Sequence, residues 1–271
     1  MRPTCELRSP AARPTPSPEE TPHRREPVLP RTLIVIPTYN ERECVEPVVA
    51  AVRAAVPEAT IQIVDDNSPD GTGAVADQIA ARDPQVRVLH REQKAGLGAA
   101  YLHAFSAALA EGWERIVQMD ADLSHNPADV PRLLQALEEG ADMAVGSRYV
   151  RGGGTENWGL GRRIISRGGG LYARLALGVG VHDLTAGFKA WKAATLHGID
   201  LGAVNARGYG FQIEMTYRTL RAGFQVREVP ILFVDRRVGL SKMSGSIFFE
   251  ALTLVWQLRF RVAREKKSEA G

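Results

Sequence analysis

The stretch TLIVIPTYNERECVEPVVAAVRAAV, residues 32–56, decides the fold. Its first part, 32–37, is a short apolar run rich in β-branched residues, which is typical of a buried parallel strand. Its second part, 42–56, repeats valine at helical spacing and predicts a helix with one apolar face. A strand followed at once by a helix is the repeating unit of α/β proteins.

The same alternation continues along the chain as far as residue 147. Further strands are predicted at 61–66, 86–90, 115–120 and 143–147, and helices at 72–82, 95–111 and 129–139. This series predicts a mostly parallel sheet with helices on both faces. The second half is less regular: we expect a flexible loop at 152–154, helices at 162–177 and 211–221, and strands at 188–192 and 226–234.

The two ends of the chain differ from its middle. Residues 1–30 contain eight prolines and little apolar periodicity, which predicts a disordered leader. A single folded domain is expected over 31–245, and an amphipathic helix with a basic tail over 246–271. That helix either packs on the core or lies in the interface of a membrane.

Composition excludes several classes of protein. The two cysteines, Cys5 and Cys44, form no metal-binding pattern, so we expect free thiols and no structural zinc site. No secretory signal and no apolar run of spanning length is present, which predicts a cytoplasmic protein without a transmembrane helix. The net charge of +3 comes from clustered arginines without interleaved aromatic residues, and we expect no nucleic-acid binding.

Polar residues follow four of the predicted strands. They lie at 37–41 (PTYNE), 64–72 (VDDNSPDGT), 120–122 (DAD) and 146–148 (GSR). In an open α/β sheet, ligands bind beyond the carboxyl ends of the strands, so these groups are expected to meet at one edge. No P-loop or dinucleotide-binding glycine pattern occurs, although KAGLG at 94–98 opens a helix whose amides could face an anion.

Asp120 and Asp122 form the expected chemical centre. Two carboxylates at positions i and i+2 of an extended segment lie on the same side and can reach one hard divalent cation, which can neutralise a departing diphosphate. The same pattern also occurs in ordinary polar turns, but its position after the apolar run 116–119 favours the metal. Nearby His125 is interpreted either as a helix-entry residue or as a metal ligand.

Seven motifs together resemble those of a known family. PTYNE (37–41), VDDNSPDGT (64–72), DADLSH (120–125) and GSRY (146–149) are similar to family 2 glycosyltransferases of the GT-A fold. DLTAGFKAW (183–191), GYGFQIEM (208–215) and VDRRVGLSKMS (234–244) narrow the resemblance to polyprenyl-phosphate (dolichyl-phosphate) mannose synthases, especially the actinobacterial polyprenol monophosphomannose synthases. The resemblance covers residues 31–262 and implies an α/β fold with a Rossmann-like nucleotide-binding half and an acceptor half.

The resemblance also implies an activity. A mannose would pass with inversion from GDP-mannose to polyprenyl phosphate, with Mg²⁺ or Mn²⁺, giving a lipid-linked β-mannose that serves glycolipid and glycoprotein mannosylation. The enzyme would lie peripherally on the cytoplasmic face of the membrane, where an integral membrane protein is a candidate partner. Three alternatives stay open: UDP-glucose as donor, a sugar hydroxyl as acceptor with Glu214 as base, and a non-catalytic nucleotide-sugar sensor.

Residue roles follow from the resemblance position by position. The donor would be bound by Pro37, Tyr39, Glu41, Val64, Asp65, Asp66, Asp120, Ala121 and Asp122, with Arg236 and Lys242 on a loop over its diphosphate. The acceptor phosphate would be bound by Arg148, Arg162 and Ser166. The metal would be held by Asp120, Asp122 and Ser124, and the catalytic residues would be Asp120, Asp122 and Arg148. A solvated helix face is the alternative for Arg162 and its neighbouring arginines.

Overall fold

The computed structural model describes residues 30–205, 209–235 and 255–262. The predicted leader, apart from Pro30, lies outside the described residues, as do Arg236, Lys242 and most of the predicted C-terminal segment.

Nine strands form two sheets in the described part of the chain. Their bounds are Thr32–Thr38 (β1), Thr60–Asp65 (β2), Val86–His90 (β3), Arg115–Gln118 (β4), Met143–Ser147 (β5), Gly154–Glu156 (β6), Lys189–Lys192 (β7), Val226–Pro230 (β8) and Leu232–Val234 (β9). The main sheet has the order β3-β2-β1-β4-β7-β5-β8, and β7 is antiparallel to both its neighbours while the other pairs are parallel. The predicted mostly parallel sheet is confirmed. Strands β6 and β9 form a small parallel sheet.

Helices cover both faces of the main sheet. Their bounds are Arg42–Ala55 (α1), Thr72–Arg82 (α2), Leu97–Ala110 (α3), Val130–Glu138 (α4), Leu160–Leu177 (α5), Ala193–His197 (α6), Tyr209–Arg221 (α7) and 255–262 (α8). Because side chains alternate along a strand, Ile34 and Ile36 of β1 pack with α1, α2 and α4, whereas Leu33 and Val35 pack with α3 and α7. Two separate apolar cores therefore enclose the sheet.

A third apolar cluster joins α5, α7 and α8. Val255, Leu258 and Val262 of α8 are buried against residues of α5 and α7. Trp256 and Phe260 lie on the other face of α8, stack on each other with ring centres 6.1 Å apart, and are 43% and 56% exposed. One face of this helix thus packs on the core, and the other presents aromatic rings at the surface.

The segment 226–234, predicted as one strand, is divided between the two sheets. Strand β8 pairs with β5 and ends at Pro230, after which the N–H of Ile231 donates to the Ser147 carbonyl. Residues 152–154, predicted as a loop, lead into β6. A Cβ on Gly153 would lie 2.5 Å from the Ser147 oxygen, so glycine permits the close crossing that starts the small sheet.

A buried polar network lies under the carboxyl end of β4. The Lys189 Nζ atom donates to the Gln212 carbonyl (2.9 Å) and to Gln212 Oε1 (2.8 Å), and Gln118 Nε2 donates to the same Oε1 (2.9 Å). Burial lowers the pKa of Lys189 to about 7, although the charge of Asp183 opposes this shift. The network connects β4, β7 and α7.

Replacing Phe211 by alanine tests the core between the sheet and α7. The Phe211 ring is fully buried, stacks on Tyr101 at 5.9 Å, and lies close to Gly98. We expect Phe211→Ala to lower the free energy of unfolding by about 3–5 kcal/mol, because it leaves a cavity. Urea denaturation measures the loss, with Phe260→Ala as the exposed control, for which about 0.5 kcal/mol or less is expected. Equal losses in the two variants would contradict this packing.

The pH dependence of stability tests the burial of Lys189. Its folded pKa lies below its ordinary 10.5, so between pH 7 and 10.5 the unfolded chain holds a proton that the folded chain has released. The free energy of unfolding should therefore rise with pH in this window, by up to about 1.4 kcal/mol per pH unit relative to Lys189→Met. Urea titrations of both proteins at two pH values within the window measure the difference. A difference that does not change with pH would show that Lys189 titrates normally.

Candidate active site

The carboxyl ends of β1, β2 and β4 lie side by side, because β1 is parallel to both of its neighbours. Thr38 at the end of β1 is level with Asp65 at the end of β2. The segments that follow these strands carry Tyr39, Asp66 and Asp120. The predicted convergence of the first three motifs at one edge therefore agrees with the order of the strands.

Asp65 organises the loop after β2. Its buried carboxylate accepts hydrogen bonds from Thr38 Oγ1 (3.2 Å), Ser68 Oγ (2.5 Å) and the Ser68 N–H (3.1 Å). A Cβ on Gly73 would lie 2.9 Å from Asp65 Oδ2, so this carboxylate packs directly on the start of α2. Asp66 is also buried and forms an ion pair with Arg91. Both carboxylates are thus held by groups of the protein itself.

The PTYNE segment forms the adjoining wall. Lys94 Nζ lies 3.6 Å from the centre of the Tyr39 ring, within the range of a cation–π contact. The Glu41 N–H donates to Thr72 Oγ1 at 3.0 Å, and Pro37 is level with Val64 of β2. From the sequence, Lys94 was interpreted only as part of the glycine-rich segment that begins a helix, and its contact with Tyr39 was not predicted.

Asp120 and Asp122 lie in a turn and not in the extended segment that was predicted. Strand β4 ends at Gln118, two residues before the predicted end, and Leu123 adopts a left-handed backbone conformation with φ of 59°. Asp122 Oδ1 accepts hydrogen bonds from the Ser124 N–H (3.0 Å) and Ser124 Oγ (2.6 Å). The Ser124 hydroxyl therefore orients the Asp122 carboxylate in this structure.

His125 is buried behind this turn. Its Nδ1 atom accepts the N–H of Asp120 at 3.1 Å, and its ring lies against Phe188 and Phe233. Burial lowers the pKa of His125, although the charges of Asp120 and Asp122 oppose the shift. The helix-entry role belongs to the next residue, since Asn126 caps the following 3-10 turn by accepting the Ala128 N–H.

The donor set of the turn suits a hard divalent cation. The Asp120 side chain is 30% exposed, and Ala121, which lies in the turn between the two aspartates, is buried. No group of three or more His, Cys, Asp or Glu side chains able to hold a metal occurs in the described ranges. One or two carboxylates completed by substrate phosphates are the usual Mg²⁺ ligands, so Asp120 and Asp122 fit a metal that arrives with a diphosphate.

The charges of Asp120 and Asp122 affect the pKa of Tyr101, which is buried beside the turn. The Tyr101 hydroxyl donates to the Met119 carbonyl at 3.1 Å, and its pKa is raised well above the ordinary value by burial, and further by Asp120 and Asp122. The tyrosine is therefore a neutral structural donor that holds the end of β4.

Arg148 is held by a buried carboxylate. Its backbone N–H and Nε donate to Asp183 Oδ2 (3.0 and 2.7 Å), and Nη2 donates to Asp183 Oδ1 and Thr185 Oγ1 (2.7 and 2.8 Å). Burial alone would raise the pKa of Asp183, but Arg148 and the hydrogen bonds lower it below its usual value. Asp183 lies in the DLTAGFKAW motif, yet sequence reasoning gave it no role.

Arg162 and Ser166 of α5 face the same region as Arg148. The guanidinium carbons of Arg162 and Arg148 lie 4.1 and 5.6 Å from the centre of the Trp158 ring. The Tyr149 hydroxyl lies 2.6 Å from Ser166 Oγ. The three residues predicted to bind the acceptor phosphate therefore surround Tyr149 and Trp158, and Arg162 does not belong to a freely solvated helix face.

Two donors in this cluster are buried without an acceptor among the described residues: Trp158 Nε1 and Arg162 Nε. Arg162 Nη1 forms an ion pair with Asp235. Buried donors in native proteins nearly always have a partner, so these two N–H groups leave hydrogen-bonding capacity next to Arg148 and Arg162 that the described residues do not use. No pattern in the sequence identified Trp158.

Phe233 of β9 lies between the Asp120–Asp122 turn and the arginines Arg148 and Arg162. Its ring centre lies 5.5 Å from that of His125 and 5.5 Å from the Arg148 guanidinium carbon. The Val234 N–H donates to the Ser124 carbonyl at 3.3 Å. The short strand thus forms a wall that both parts of the site share.

Glu214 cannot act as an accessible base in this structure. It is fully buried, accepts hydrogen bonds from Arg218 Nε at 2.9 Å and from the Asn205 N–H at 3.3 Å, and forms an ion pair with Arg261.

Among the helices of residues 30–205, 209–235 and 255–262, none has the length and apolar character needed to cross a membrane.

Known proteins resemble this chain along most of its length. The family described as glycosyl transferase family 2 matches residues 33–197. A polyprenol monophosphomannose synthase of Mycolicibacterium smegmatis is 51% identical over 239 residues, 87% of this chain and 90% of the relative. An undecaprenyl-phosphate mannosyltransferase of Micrococcus luteus is 51% identical over 233 residues, 85% of this chain and 96% of the relative.

The fold also has solved counterparts. A glucosyl-3-phosphoglycerate synthase from Mycobacterium tuberculosis, solved with Mn²⁺, UDP and glucosyl-3-phosphoglycerate, superimposes with a TM-score of 0.64 at 22% identity, covering 84% of this chain and 80% of that protein. The likeness at this identity concerns the fold. Together with the family match and the close relatives, it shows that the chain belongs to glycosyltransferase family 2 and has a GT-A fold.

Proposed function

We propose that this enzyme transfers mannose from GDP-mannose to polyprenyl phosphate and inverts the anomeric centre to give polyprenyl-phospho-β-mannose. The observation that carries the proposal is the placement of Arg148 and Arg162 around Trp158, beside a wall shared with the Asp120–Asp122 turn. The names of the two relatives with 51% identity support a polyprenyl phosphate acceptor and a mannosyl group.

The acceptor needs binding and orientation more than activation. A phosphate monoester has a second pKa of about 6 and is largely a dianion at neutral pH, so it is already a nucleophile. Arg148 and Arg162 would bind its oxygens, with Ser166 and the unpaired N–H of Trp158 beside them. An acceptor hydroxyl would require a base. The burial of Glu214 in ion pairs therefore weighs against the alternative of a sugar hydroxyl as acceptor.

The Asp120–Asp122 turn would bind Mg²⁺ or Mn²⁺ together with the donor diphosphate. The bound cation would neutralise the charge that develops on the leaving diphosphate. Asp120 and Asp122 supply oxygen ligands, and Ser124 acts through Asp122, to which its hydroxyl donates. The Mn²⁺ in the structural neighbour is in keeping with a divalent metal here.

The guanosine part of the donor would lie against the ends of β1 and β2. Pro37, Tyr39, Glu41 and Val64 would form the wall, and Lys94 adds a positive charge over Tyr39. We assign Asp65 and Asp66 to shaping this wall, because their carboxylates are held by Ser68, Thr38 and Arg91. Arg236 and Lys242, on the segment after β9, stay proposed ligands of the diphosphate.

A membrane surface would supply the lipid acceptor, and α5 has a suitable outer face. Five apolar side chains of this helix are at least half exposed: Leu160, Ile164, Ile165, Leu171 and Leu175. With the aromatic pair Trp256 and Phe260, they would rest in the headgroup region on the cytoplasmic face. Residues 31–245 would form the catalytic domain, 246–271 an interfacial element, and an integral membrane protein would be a further anchor.

A transfer assay tests the function and its metal. With Mg²⁺ or Mn²⁺, wild-type enzyme should form mannosyl-lipid from GDP-mannose and polyprenyl phosphate, and a chelator should abolish the product. We expect Asp122→Asn to lower kcat/KM by about 100-fold or more, since metal stabilisation of the leaving group contributes several kcal/mol. Asp77→Asn, which changes a 57% exposed carboxylate on α2, is the matched control and should leave activity unchanged.

The donor and acceptor are decided in the same assay. If product forms from UDP-glucose but not from GDP-mannose, the proposed acceptor and metal site stand, but the donor is UDP-glucose. No product from either donor, in protein shown to be folded, would reject polyprenyl phosphate as the acceptor.

Replacing Arg162 tests the acceptor site with a neighbouring control. We expect Arg162→Gln to raise the KM for polyprenyl phosphate by about tenfold or more, because a charge-assisted hydrogen bond contributes about 1.5–3 kcal/mol. The KM for GDP-mannose should change little. Arg163 is exposed, donates to the Thr155 carbonyl at 3.1 Å, and should tolerate Arg163→Gln. If only the KM for GDP-mannose rises, Arg162 contacts the donor and not the acceptor, and the assignment of Arg162 to the acceptor phosphate is wrong.

A further inference from the structure

We infer that His125 is a positioning residue: its Nδ1 atom fixes the backbone of Asp120 and thereby holds Asp120 and Asp122 in the arrangement that binds the metal and the donor diphosphate. The inference rests on the proposed metal site. His125 is 2% exposed, and the proposed mechanism otherwise gives it no role. Neither interpretation from the sequence, a helix-entry residue or a metal ligand, describes these contacts.

The hydrogen bond to Asp120 determines where β4 ends. Within a strand, the Asp120 N–H would be directed at a neighbouring strand, but here it donates to His125 at 3.1 Å. The bond closes a loop of the chain around Leu123, whose left-handed φ of 59° is unfavourable for a leucine. We therefore expect two hydrogen bonds made by other residues to stabilise the turn: Asp120 N–H donates to His125 Nδ1, and Ser124 Oγ donates to Asp122.

The His125 ring is itself held in one orientation. It stacks on Phe188 with ring centres 5.1 Å apart and meets Phe233 edge-on at 5.5 Å. A Cβ on Gly187 would lie 3.3 Å from His125 Cε1 and 3.5 Å from Asp120 Oδ2, so glycine leaves room for both groups. Because the donor to Nδ1 is a backbone N–H, Nδ1 must be the acceptor.

The same contacts relate the turn to the acceptor side. Phe233 touches the Arg148 guanidinium as well as His125, and the next residue, Val234, donates its N–H to Ser124. The His125 ring and the Arg148 guanidinium thus pack against the same side chain, Phe233. A metal ligand held by an outer partner in this way binds the metal more strongly than a mobile one.

Two substitutions separate the hydrogen bond from the packing. His125→Phe keeps an aromatic ring between Phe188 and Phe233 but removes the acceptor for Asp120. His125→Asn keeps a side-chain acceptor and removes the ring. We expect the phenylalanine variant to bind Mn²⁺ in the presence of GDP about 10- to 100-fold more weakly than wild type, with a similar melting temperature. The asparagine variant should melt at a lower temperature and keep Mn²⁺ affinity close to that of wild type.

Free Mn²⁺ measured by electron paramagnetic resonance during titration gives the affinity without any turnover. His103→Phe, at an exposed position of α3, is the matched control and should leave both readouts unchanged. Unchanged Mn²⁺ affinity in His125→Phe, with wild type binding normally, would overturn the positioning role and leave the metal site intact. A wild-type enzyme that binds no Mn²⁺ with GDP would overturn the metal site and this inference with it.

Discussion

Strand β7 runs antiparallel between β4 and β5, and the chain that leads into it contacts both the Asp120–Asp122 turn and Arg148. Asp183 pairs with Arg148, Gly187 packs beside Asp120, and Phe188 stacks on His125. Lys189 then bonds to Gln212 beneath the sheet. The insertion of one reversed strand thus places the support for Arg148 and for the Asp120–Asp122 turn on seven consecutive residues, 183–189.

Charge is arranged differently on the two sides of the site. The turn after β4 carries two carboxylates two residues apart, Asp120 and Asp122, which are oxygen ligands of the kind that Mg²⁺ prefers. On the other side, each arginine has a carboxylate partner: Asp183 for Arg148 and Asp235 for Arg162. A guanidinium that is largely removed from water needs such a partner, and the pairing holds each guanidinium in one orientation. The enzyme therefore holds its binding groups in place by hydrogen bonds formed before substrate arrives.

The parallel half of the fold was predictable from local pattern, because apolar runs and helical valine spacing report directly on burial. The position and direction of β7 were not, since an apolar strand carries no sign of its direction. The break at Pro230–Ile231 is accompanied by the hydrogen bond from the Ile231 N–H to the Ser147 carbonyl, a contact between residues far apart in sequence.

The candidate site, like the fold, was predictable from the sequence only in part. The motifs that follow the strands singled out Asp120, Asp122 and Arg148 by residue type and place, and the family resemblance added Arg162. They did not reveal the turn at Leu123, the support of Arg148 by Asp183 or the burial of the Trp158 N–H without an acceptor among the described residues, because each depends on tertiary structure. The sequence therefore predicted which residues belong to the candidate site, whereas their hydrogen bonds and orientations depend on packing between distant segments.

The position of Mn²⁺ in crystals grown with GDP, located by anomalous scattering at the manganese edge, tests the proposed metal site most directly. We expect a single site at which carboxylate oxygens of Asp120 or Asp122 and the diphosphate of GDP share one ion. Bound GDP with no manganese at this turn, or manganese held elsewhere, would contradict it.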